Sequence, residues 1–330
     1  MIRVLLYEWC CSGGLAGQLA GSDLEALLAE GRLMLEALAV DAARDADLDV
    51  TVLVDAEHKV RLPSAVHVAS VRPGEELDSL VAAATQADWT LLVAPETAGI
   101  LADRVARVRE AGGCPIAPAA AFLALAADKQ ATIDALAGAG VPVPAGRSLA
   151  AGEPIPAGFH LPAVCKARAS AGCDGLQVIR TRESVSLLPV AARLEAFVPG
   201  TSVGVSCLCG GGDLAILPPL RQRFTGGDAP HALGHEALSD SSLAARAEQL
   251  ARRAVAALER VAGGERASGW VGIDMILGSR EDGRSDRVLE VNPRLTTSFA
   301  MHSRGASTSL VRSMIDRAAP PRHYASLSVR

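Results

Sequence analysis

The sequence predicts an α/β lobe built on a parallel sheet, followed by an α+β region of two lobes. In the first third of the chain, apolar strand patterns alternate with helical patterns. From Ala163 onwards, short strand patterns follow one another with turns between them, which is typical of a small α+β lobe. The length of 330 residues exceeds what one simple core requires and suits two or three packed lobes.

The first lobe combines three predicted strands with three predicted helices. We expect the strands at Ile2–Glu8, Asp49–Val54 and Trp89–Ala94. The helices should run from Ser22 to about Arg44, over Glu75–Gln86 and over Ala98–Ala111. A capping-box pattern, Ser22-Asp23-Leu24-Glu25, opens the first helix. Because strands and helices alternate, the strands should form a parallel sheet covered by helices, in a domain of residues 1–117.

The α+β region is predicted from a second set of patterns. Asp128 occupies the N-cap position of a helix that should end near Gly138–Gly140. Short strands are expected at Val164–Ala167, Leu176–Ile179, Ala191–Val198 and Ser202–Cys209. An Ala-rich helix, Ala244–Val261, precedes a hairpin of the strands Trp270–Leu277 and Arg287–Val291. We place the two remaining domains at residues 118–198 and 199–330.

Composition and charge argue against several classes of protein. The net charge is −5 and no basic run occurs, so neither nucleic acid nor an anionic membrane surface is an expected partner. The seven cysteines form no CxxC pair, and their odd number argues against a disulfide framework. No apolar segment is long enough to span a bilayer, and the first residues lack the apolar core of a signal peptide. We therefore expect a reduced, cytoplasmic protein.

Lysine is rare in this chain. Of the 32 basic residues only Lys59, Lys129 and Lys166 are lysine, and all the others are arginine. A lysine retained in such a chain indicates chemistry that a guanidinium cannot perform, such as a compact charge on one phosphate oxygen. Lys166 precedes a loop of small residues that contains Gly172 and Gly175, and such a loop can fold over phosphates. The alternative for each lysine is an ordinary solvated side chain.

The predicted hairpin brings two carboxylates together. If its loop is centred near Asp282, Asp274 lies opposite Glu290 across an antiparallel pair. Asn292 shares a strand face with Glu290 because the two residues are two positions apart. Oxygen ligands of this kind suit Mg²⁺ and leave coordination sites open for phosphate and water. The alternative is a solvated strand face.

The order of these features resembles the ATP-grasp superfamily. Five motifs carry the resemblance, which extends from Ala120 to Ser309: Asp128-Lys129, Lys166 with its loop, Glu195-Ala196-Phe197-Val198-Pro199-Gly200, Gly272-Ile273-Asp274, and Glu290-Val291-Asn292-Pro293-Arg294. The resemblance implies an N-terminal Rossmann-like pre-ATP-grasp lobe followed by a two-lobed ATP-grasp domain. It also implies that the protein binds ATP with Mg²⁺, for which Mn²⁺ can substitute.

The same resemblance implies a role for each motif. Lys129 and Lys166 would hold the α- and β-phosphates under the loop that contains Gly172 and Gly175. Glu195, Phe197 and the backbone of Val198 would meet adenine at the hinge between the lobes. Asp274, Glu290 and Asn292 would hold Mg²⁺. Arg294 would contact the transferred phosphoryl group or the acyl phosphate, and it would share the catalytic role with Lys166. Thr201 and Ser202 stand where relatives often have an acidic ribose contact, so the ribose contact is unassigned.

Three further stretches resemble the tyramine–glutamate ligases of methanofuran biosynthesis. They are the segments from Tyr7 to Gly14, from Leu92 to Thr97 and from Glu290 to Phe299. This narrower resemblance implies that the γ-carboxylate of glutamate attacks ATP to give an acyl phosphate and ADP. The amine of tyramine would then displace phosphate. Thr296, Thr297 and Ser298 would help to shape the acceptor pocket.

Several residues are candidates for substrate binding. Arg221 and Arg223 would hold a carboxylate as bidentate partners, unless they form a solvated strand edge. Glu96 would pair with an incoming ammonium, unless it is a surface carboxylate. Ser12, Gly13 and Gly14 end the first strand, where open α/β sheets usually bind ligands.

Three rival functions remain open at this point. The first is another carboxylate–amine ligase, such as an amino-acid or dipeptide ligase with the same chemistry. The second is an ATP-grasp kinase, which would phosphorylate a small molecule and release no free phosphate. The third is a nucleotide-sensing regulator without catalysis, which would tolerate the loss of Arg294. A homodimer is expected only by analogy with the family.

Overall fold

The computed structural model describes residues 1–16, 22–170, 175–182 and 189–318, and within them three β-sheets form the framework. The first sheet lies within residues 2–93, the second within residues 146–196 and the third within residues 201–292. This succession agrees with the predicted α/β lobe followed by an α+β region. The exact domain boundaries at residues 117 and 198 stay predictions.

The first sheet has four parallel strands in the order β3-β2-β1-β4, as the alternation of patterns predicted. Its strands are β1 (Ile2–Glu8), β2 (Leu48–Asp55), β3 (His67–Val71) and β4 (Trp89–Val93). Strand β3 was not predicted, because it is a short edge strand with only Val71 fully buried and no clear apolar run. Helices α1 (Ser22–Ala42), α2 (Glu76–Ala84) and α3 (Ile100–Glu110) accompany this sheet.

Alternate residues of β1 pack into two separate cores. Val4 and Leu6 belong to a core with α1 that also includes Phe299 and Leu310 from the end of the chain. Leu5 and Tyr7 belong to a core with α2 and α3 on the other face. The first sheet therefore shares one core with the C-terminal part of the chain, and α1 packs against both.

The second sheet is small and antiparallel, with the order β5-β8-β6-β7. Its strands are β5 (Gly146–Leu149), β6 (Ala163–Ala167), β7 (Gln177–Ile179) and β8 (Ala192–Ala196). Helices α4 (Ala120–Ala127) and α5 (Lys129–Gly138) precede it. Asp128 caps α5 as predicted, since its carboxylate accepts hydrogen bonds from the backbone N–H groups of Gln130 and Ala131.

The third sheet has six strands, five of them in the order β12-β11-β9-β13-β14, with β10 paired to β9. The strands are β9 (Thr201–Gly210), β10 (Asp213–Ile216), β11 (Leu220–Phe224), β12 (Ala232–Ala237), β13 (Gly269–Leu277) and β14 (Arg287–Asn292). Helix α6 (Ser241–Val261) packs on this sheet, and α7 (Phe299–Gly305) and α8 (Leu310–Arg317) follow it.

Cys207 and Cys209 are buried on one face of β9, where they pack as small apolar side chains. No helix in the described parts of the chain combines the length and apolar character needed to cross a bilayer.

Candidate active site

A cavity of about 430 Å³ lies between the second sheet, the third sheet and helix α1. Strands β6, β7 and β8 line it from one side, while β9, β11, β13 and β14 line it from the other. Helix α1 contributes Glu30 and Met34. Four of the five predicted motifs therefore contribute residues to one cavity.

The hairpin of β13 and β14 brings Asp274, Glu290 and Asn292 together, as its sequence predicted. Asp274 pairs directly with Glu290 in the strand register. The amide nitrogen of Asn292 donates to Asp274 Oδ2 over 3.0 Å and to Glu290 Oε1 over 3.4 Å. The three side chains thus form one oxygen-rich group at the floor of the cavity.

Gln222 of β11 supports this group and was not identified from the sequence. Its Nε2 atom donates to Asp274 Oδ1 over 2.7 Å, and its Oε1 atom accepts from the hydroxyl of Ser202 over 2.8 Å. Asp274 therefore accepts hydrogen bonds from amide groups at both of its oxygens, which fixes the orientation of the carboxylate.

The two carboxylates differ in their tendency to ionise. Burial first, and the charge of Glu290 second, raise the pKa of Asp274 to about 7. Burial also opposes ionisation of Glu290, but the charges of Lys129 and Lys166 outweigh it and hold the pKa of this carboxyl well below its usual range. A hard dication between them would favour ionisation of both groups.

The donor set fits Mg²⁺. Two carboxylates and one amide oxygen, which would face the ion once the Asn292 amide turned its nitrogen away from the carboxylates, are hard ligands. So small a set leaves positions for phosphate and water.

Lys129 is the first residue of α5 and is buried, with 7% of its surface exposed. Its Nζ atom donates to the carbonyl oxygen of Ser170 over 2.7 Å and lies 3.4 Å from Glu290 Oε2. The N-cap geometry at Asp128 sets the start of the helix and hence the position of the lysine. Lys129 therefore connects the helix, the small-residue loop and the predicted metal ligands.

Lys166 of β6 is buried as well, with 4% exposed. Its Nζ atom lies 2.9 Å from Glu195 Oε1 and donates to the carbonyl oxygen of Leu289 over 3.0 Å. Neither of these lysines is a solvated surface side chain, whereas Lys59 is exposed.

Arg193 completes the support of Lys166 and was missed in the sequence. Its Nε donates to Glu195 Oε2 over 3.0 Å, so both oxygens of Glu195 face a cation. Arg193 also donates to the side chain of Gln130 and to the carbonyl of Pro144, and it is almost fully buried. Glu195 thus positions Lys166, while the contact of Glu195 with adenine stays a prediction.

Phe197, 40% exposed, and Val198 also line the cavity.

Arg294 follows β14 and lines the cavity. Its Nε atom lies 2.9 Å from Glu96 Oε1, but the N–H is not aimed at that oxygen, so the contact is an ion pair rather than a hydrogen bond. Its Nη1 group donates to the carbonyl of Leu295 over 3.0 Å. The nearby negative charges, led by Glu96, raise the pKa of Arg294 against the effect of its burial.

Two family models match this sequence. The ATP-grasp domain matches residues 126–298, which is more than half of the chain, and the pre ATP-grasp 3 domain matches residues 48–121. The chain belongs to the ATP-grasp family. The ATP-grasp match includes all the motifs that surround the cavity. Among curated proteins, none matches the sequence.

Solved structures share the ATP-grasp fold at low sequence identity. An ATP-grasp superfamily protein from Archaeoglobus fulgidus has a TM-score of 0.71 and 19% identity, over 97% of this chain and 89% of that chain. L-amino acid ligase from Bacillus licheniformis has a TM-score of 0.67 and 14% identity, over 100% and 77%. D-alanine–D-alanine ligase from Bacillus anthracis has a TM-score of 0.61 and 16% identity, over 96% of both chains.

The loop of small residues after Lys166, which is predicted to fold over phosphates, is only partly described. Ser170 accepts from Lys129, and Gly175 has a φ of +67° that favours glycine. Gly172 lies outside the described residues.

Glu96 lies behind Arg294 rather than on the cavity wall. It follows β4 and is 5% exposed, and its carboxylate faces the guanidinium. Arg294 balances the charge of Glu96 in this arrangement, and the pairing of Glu96 with an incoming ammonium stays a prediction.

The turn that follows β1 lies within the first lobe of the chain and contains Ser12, Gly13 and Gly14. The hydroxyl of Ser12 donates to the carbonyl of Leu53 over 2.8 Å. Gly13 has a φ of +93°, and a Cβ atom on Gly14 would lie 2.2 Å from the ring of Trp9. None of the three lines the cavity, so these glycines serve the local turn, and a ligand role for them stays a prediction.

Arg221 and Arg223 lie on one face of β11, on either side of Gln222. Each is 3.7 Å from an oxygen of Glu236, and both side chains are about half exposed. Arg223 also lines the cavity. Carboxylate binding by the two arginines stays a prediction, and the residue between them is the one that contacts the predicted metal ligands.

A hydroxyl network forms another wall of the cavity. Ser298 Oγ lies 2.8 Å from Thr296 Oγ1 and 3.0 Å from Ser206 Oγ, and the indole N–H of Trp270 donates to Thr296 over 3.2 Å. Gly272 allows this approach, because a Cβ atom there would lie 2.6 Å from Thr296 Cγ2. The wall beyond Arg294 is therefore polar but uncharged.

Proposed function

We propose that this ATP-grasp protein is an ATP-dependent carboxylate–amine ligase that works through an acyl phosphate. The observation that carries the proposal is one cavity lined by the buried Lys166, by two carboxylates with an amide, and by an arginine whose side chain is 10% exposed, with the buried Lys129 lying 3.4 Å from one of those carboxylates. A protein that only senses nucleotide would not need a buried arginine beyond the predicted phosphate and metal groups.

Each group has a part in this proposal. Asp274, Glu290 and Asn292 would hold Mg²⁺, which would neutralise charge on the phosphate oxygens. Lys129 and Lys166 would exchange some of their present contacts for phosphate oxygens, since both ammonium groups lie next to the predicted metal ligands. Arg294 would stabilise the charge on the transferred phosphoryl group.

The reaction would proceed in two balanced steps. A carboxylate oxygen attacks the γ-phosphorus, the bond from that phosphorus to the β,γ-bridging oxygen breaks, and ADP leaves. The amine nitrogen then attacks the acyl carbon, the bond from that carbon to the phosphate oxygen breaks, and inorganic phosphate leaves as the nitrogen loses a proton. Positioning and charge neutralisation supply most of the catalysis in such transfers.

For the substrates, we propose glutamate as the acid and tyramine as the amine. The support is the resemblance of three stretches, including the segment from Glu290 to Phe299, to tyramine–glutamate ligases. Two proteins of the same fold are by name an L-amino acid ligase and a D-alanine–D-alanine ligase, and these names favour a second candidate within the same class. In that candidate the chain joins two amino acids.

The test is a screen of acid and amine pairs with ATP and Mg²⁺, starting with glutamate and tyramine. We expect ADP and inorganic phosphate only when an acid and an amine are both present. ADP with a phosphorylated product and no free phosphate would identify a kinase. AMP and pyrophosphate would contradict the acyl-phosphate route.

A further inference from the structure

Nearly every charged side chain on the cavity wall has a partner of opposite charge. Lys166 pairs with Glu195, Arg294 with Glu96, and Glu290 with Lys129. At the mouth of the cavity, two arginines that line it pair with acidic residues of β12 and the loop before it: Arg180 with Asp228 and Arg223 with Glu236. Asp274 accepts two amide hydrogen bonds and belongs to the predicted metal site.

Glu30 is the exception. It lies on α1, lines the cavity and is partly buried. Among the described residues it has neither an ion pair within 4 Å nor a hydrogen bond, and it differs in this respect from every other charged lining residue. A half-buried carboxylate loses hydration without gaining a partner, which is unfavourable unless a ligand supplies one.

The surroundings of Glu30 are suited to an organic cation. Met34, one turn further along α1, presents an apolar side chain to the same cavity. Arg294 is near enough for its charge to act on Glu30. Thr296 and Ser298, whose hydroxyl groups bond to each other, line the same cavity. An acid, an apolar patch and hydroxyl groups together match an amine that carries an apolar or aromatic body.

We infer that Glu30 binds the ammonium group of the acceptor amine and holds it beside Arg294, where the acyl phosphate would form. This inference rests on the proposed ligase function. It gives Glu30 the role that the sequence alone suggested for Glu96, whose charge is already balanced by Arg294.

The chemistry of the second step agrees with this placement. An ammonium must lose one proton before its nitrogen can attack the acyl carbon, and a carboxylate in contact with it can accept that proton. Burial raises the pKa of Glu30, although the charge of Arg294 opposes the shift, so this carboxyl is a better proton acceptor than an exposed glutamate.

The test compares Glu30→Gln with the wild type and with Glu25→Gln, an exposed glutamate of the same helix. With ATP, glutamate and tyramine, or the best pair from the screen, we expect Glu30→Gln to raise the KM for the amine by about 10- to 100-fold. The KM for ATP should stay within about twofold of the wild-type value. The control should match the wild type in both constants.

Hydroxylamine separates this inference from the proposed function. It is largely uncharged at mildly alkaline pH and traps acyl phosphates as hydroxamates, so it needs no carboxylate to bind its nitrogen. We expect Glu30→Gln to form hydroxamate at the wild-type rate while its use of the charged amine fails. Equal amine KM values in Glu30→Gln and wild type would overturn the role of Glu30 and leave the ligase intact.

A wild type that forms neither amide nor hydroxamate with any acid would instead refute the ligase proposal itself. The stability of the variant is a further check, because glutamine removes an unpaired, partly buried charge. The melting temperature of Glu30→Gln without ligands should not fall below that of the wild type. A fall of several degrees would show that Glu30 has a structural partner, and it would overturn the inference.

Discussion

A substitution of Lys166 tests whether its ammonium group binds a phosphate oxygen of ATP. Its ammonium group lies between Glu195 Oε1 at 2.9 Å and the carbonyl oxygen of Leu289 at 3.0 Å, and the side chain is 4% exposed. Lys166→Arg keeps the charge, but a planar guanidinium is larger and cannot occupy the space of a compact ammonium between two such close oxygens.

The magnitude follows from the contact that is lost. If Lys166 binds a phosphate oxygen, removal of one charge-assisted hydrogen bond would cost about 1.5–3 kcal/mol, which weakens ATP binding by about 10- to 100-fold. Lys59→Arg is the matched control, because Lys59 is exposed and lies outside the cavity. The measurement is nucleotide binding by calorimetry, together with the ATP dependence of phosphate release for all three proteins.

Equal affinities and equal kinetics in wild type, Lys166→Arg and Lys59→Arg would refute the reasoning. They would show that the burial of Lys166 serves only its pairing with Glu195. Loss of ATP binding by Lys166→Arg with an unchanged melting temperature would instead separate the phosphate role from folding.

Three more substitutions test the surroundings of the site. Gln222→Met removes an orienting hydrogen bond from Asp274 and should raise the Mg²⁺ concentration for half-maximal activity by about 10- to 100-fold; an unchanged metal titration would exclude this role. Glu96→Gln removes the charge that faces Arg294, so it should lower kcat about tenfold, which corresponds to a loss of roughly 1.4 kcal/mol of transition-state stabilisation, with little change in the KM for ATP. A tenfold rise in the KM for ATP would contradict this role of Glu96. Burial, and to a smaller extent the charge of His235, lowers the pKa of His302 to about 4. As the pH drops from about 6.5 to 4, this histidine therefore binds a proton in the unfolded chain before it does so in the folded chain, and the free energy of unfolding should fall. His302→Leu should remove up to about 3 kcal/mol of that loss, and parallel curves of melting temperature against pH would contradict the assignment.

Local patterns account for the parts of the fold and site that the sequence predicted. The pairing of Asp274 with Glu290 follows from the two-residue period of strands and the length of the hairpin loop. The cap at Asp128 depends only on its own backbone neighbours. The parallel sheet follows from the alternation of strands with helices.

Contacts between distant segments account for what the sequence did not predict. Arg193 and Gln222 are ordinary polar residues of strands until the fold brings them to Glu195 and Asp274. Glu30 lies on a helix of the first lobe but faces a cavity built mostly from the other two sheets. No periodic pattern marks such residues, because the partners that give them a role are remote in sequence.

The central claim is that the acid becomes an acyl phosphate in this cavity. The direct measurement uses an acid substrate with ¹⁸O in its carboxylate, followed by mass spectrometry of the phosphorus-containing products. An acyl-phosphate ligase must transfer one labelled oxygen to inorganic phosphate when the amide forms, and ADP must carry none. Label in AMP, or unlabelled phosphate from a reaction that forms the amide, would contradict the acyl-phosphate mechanism.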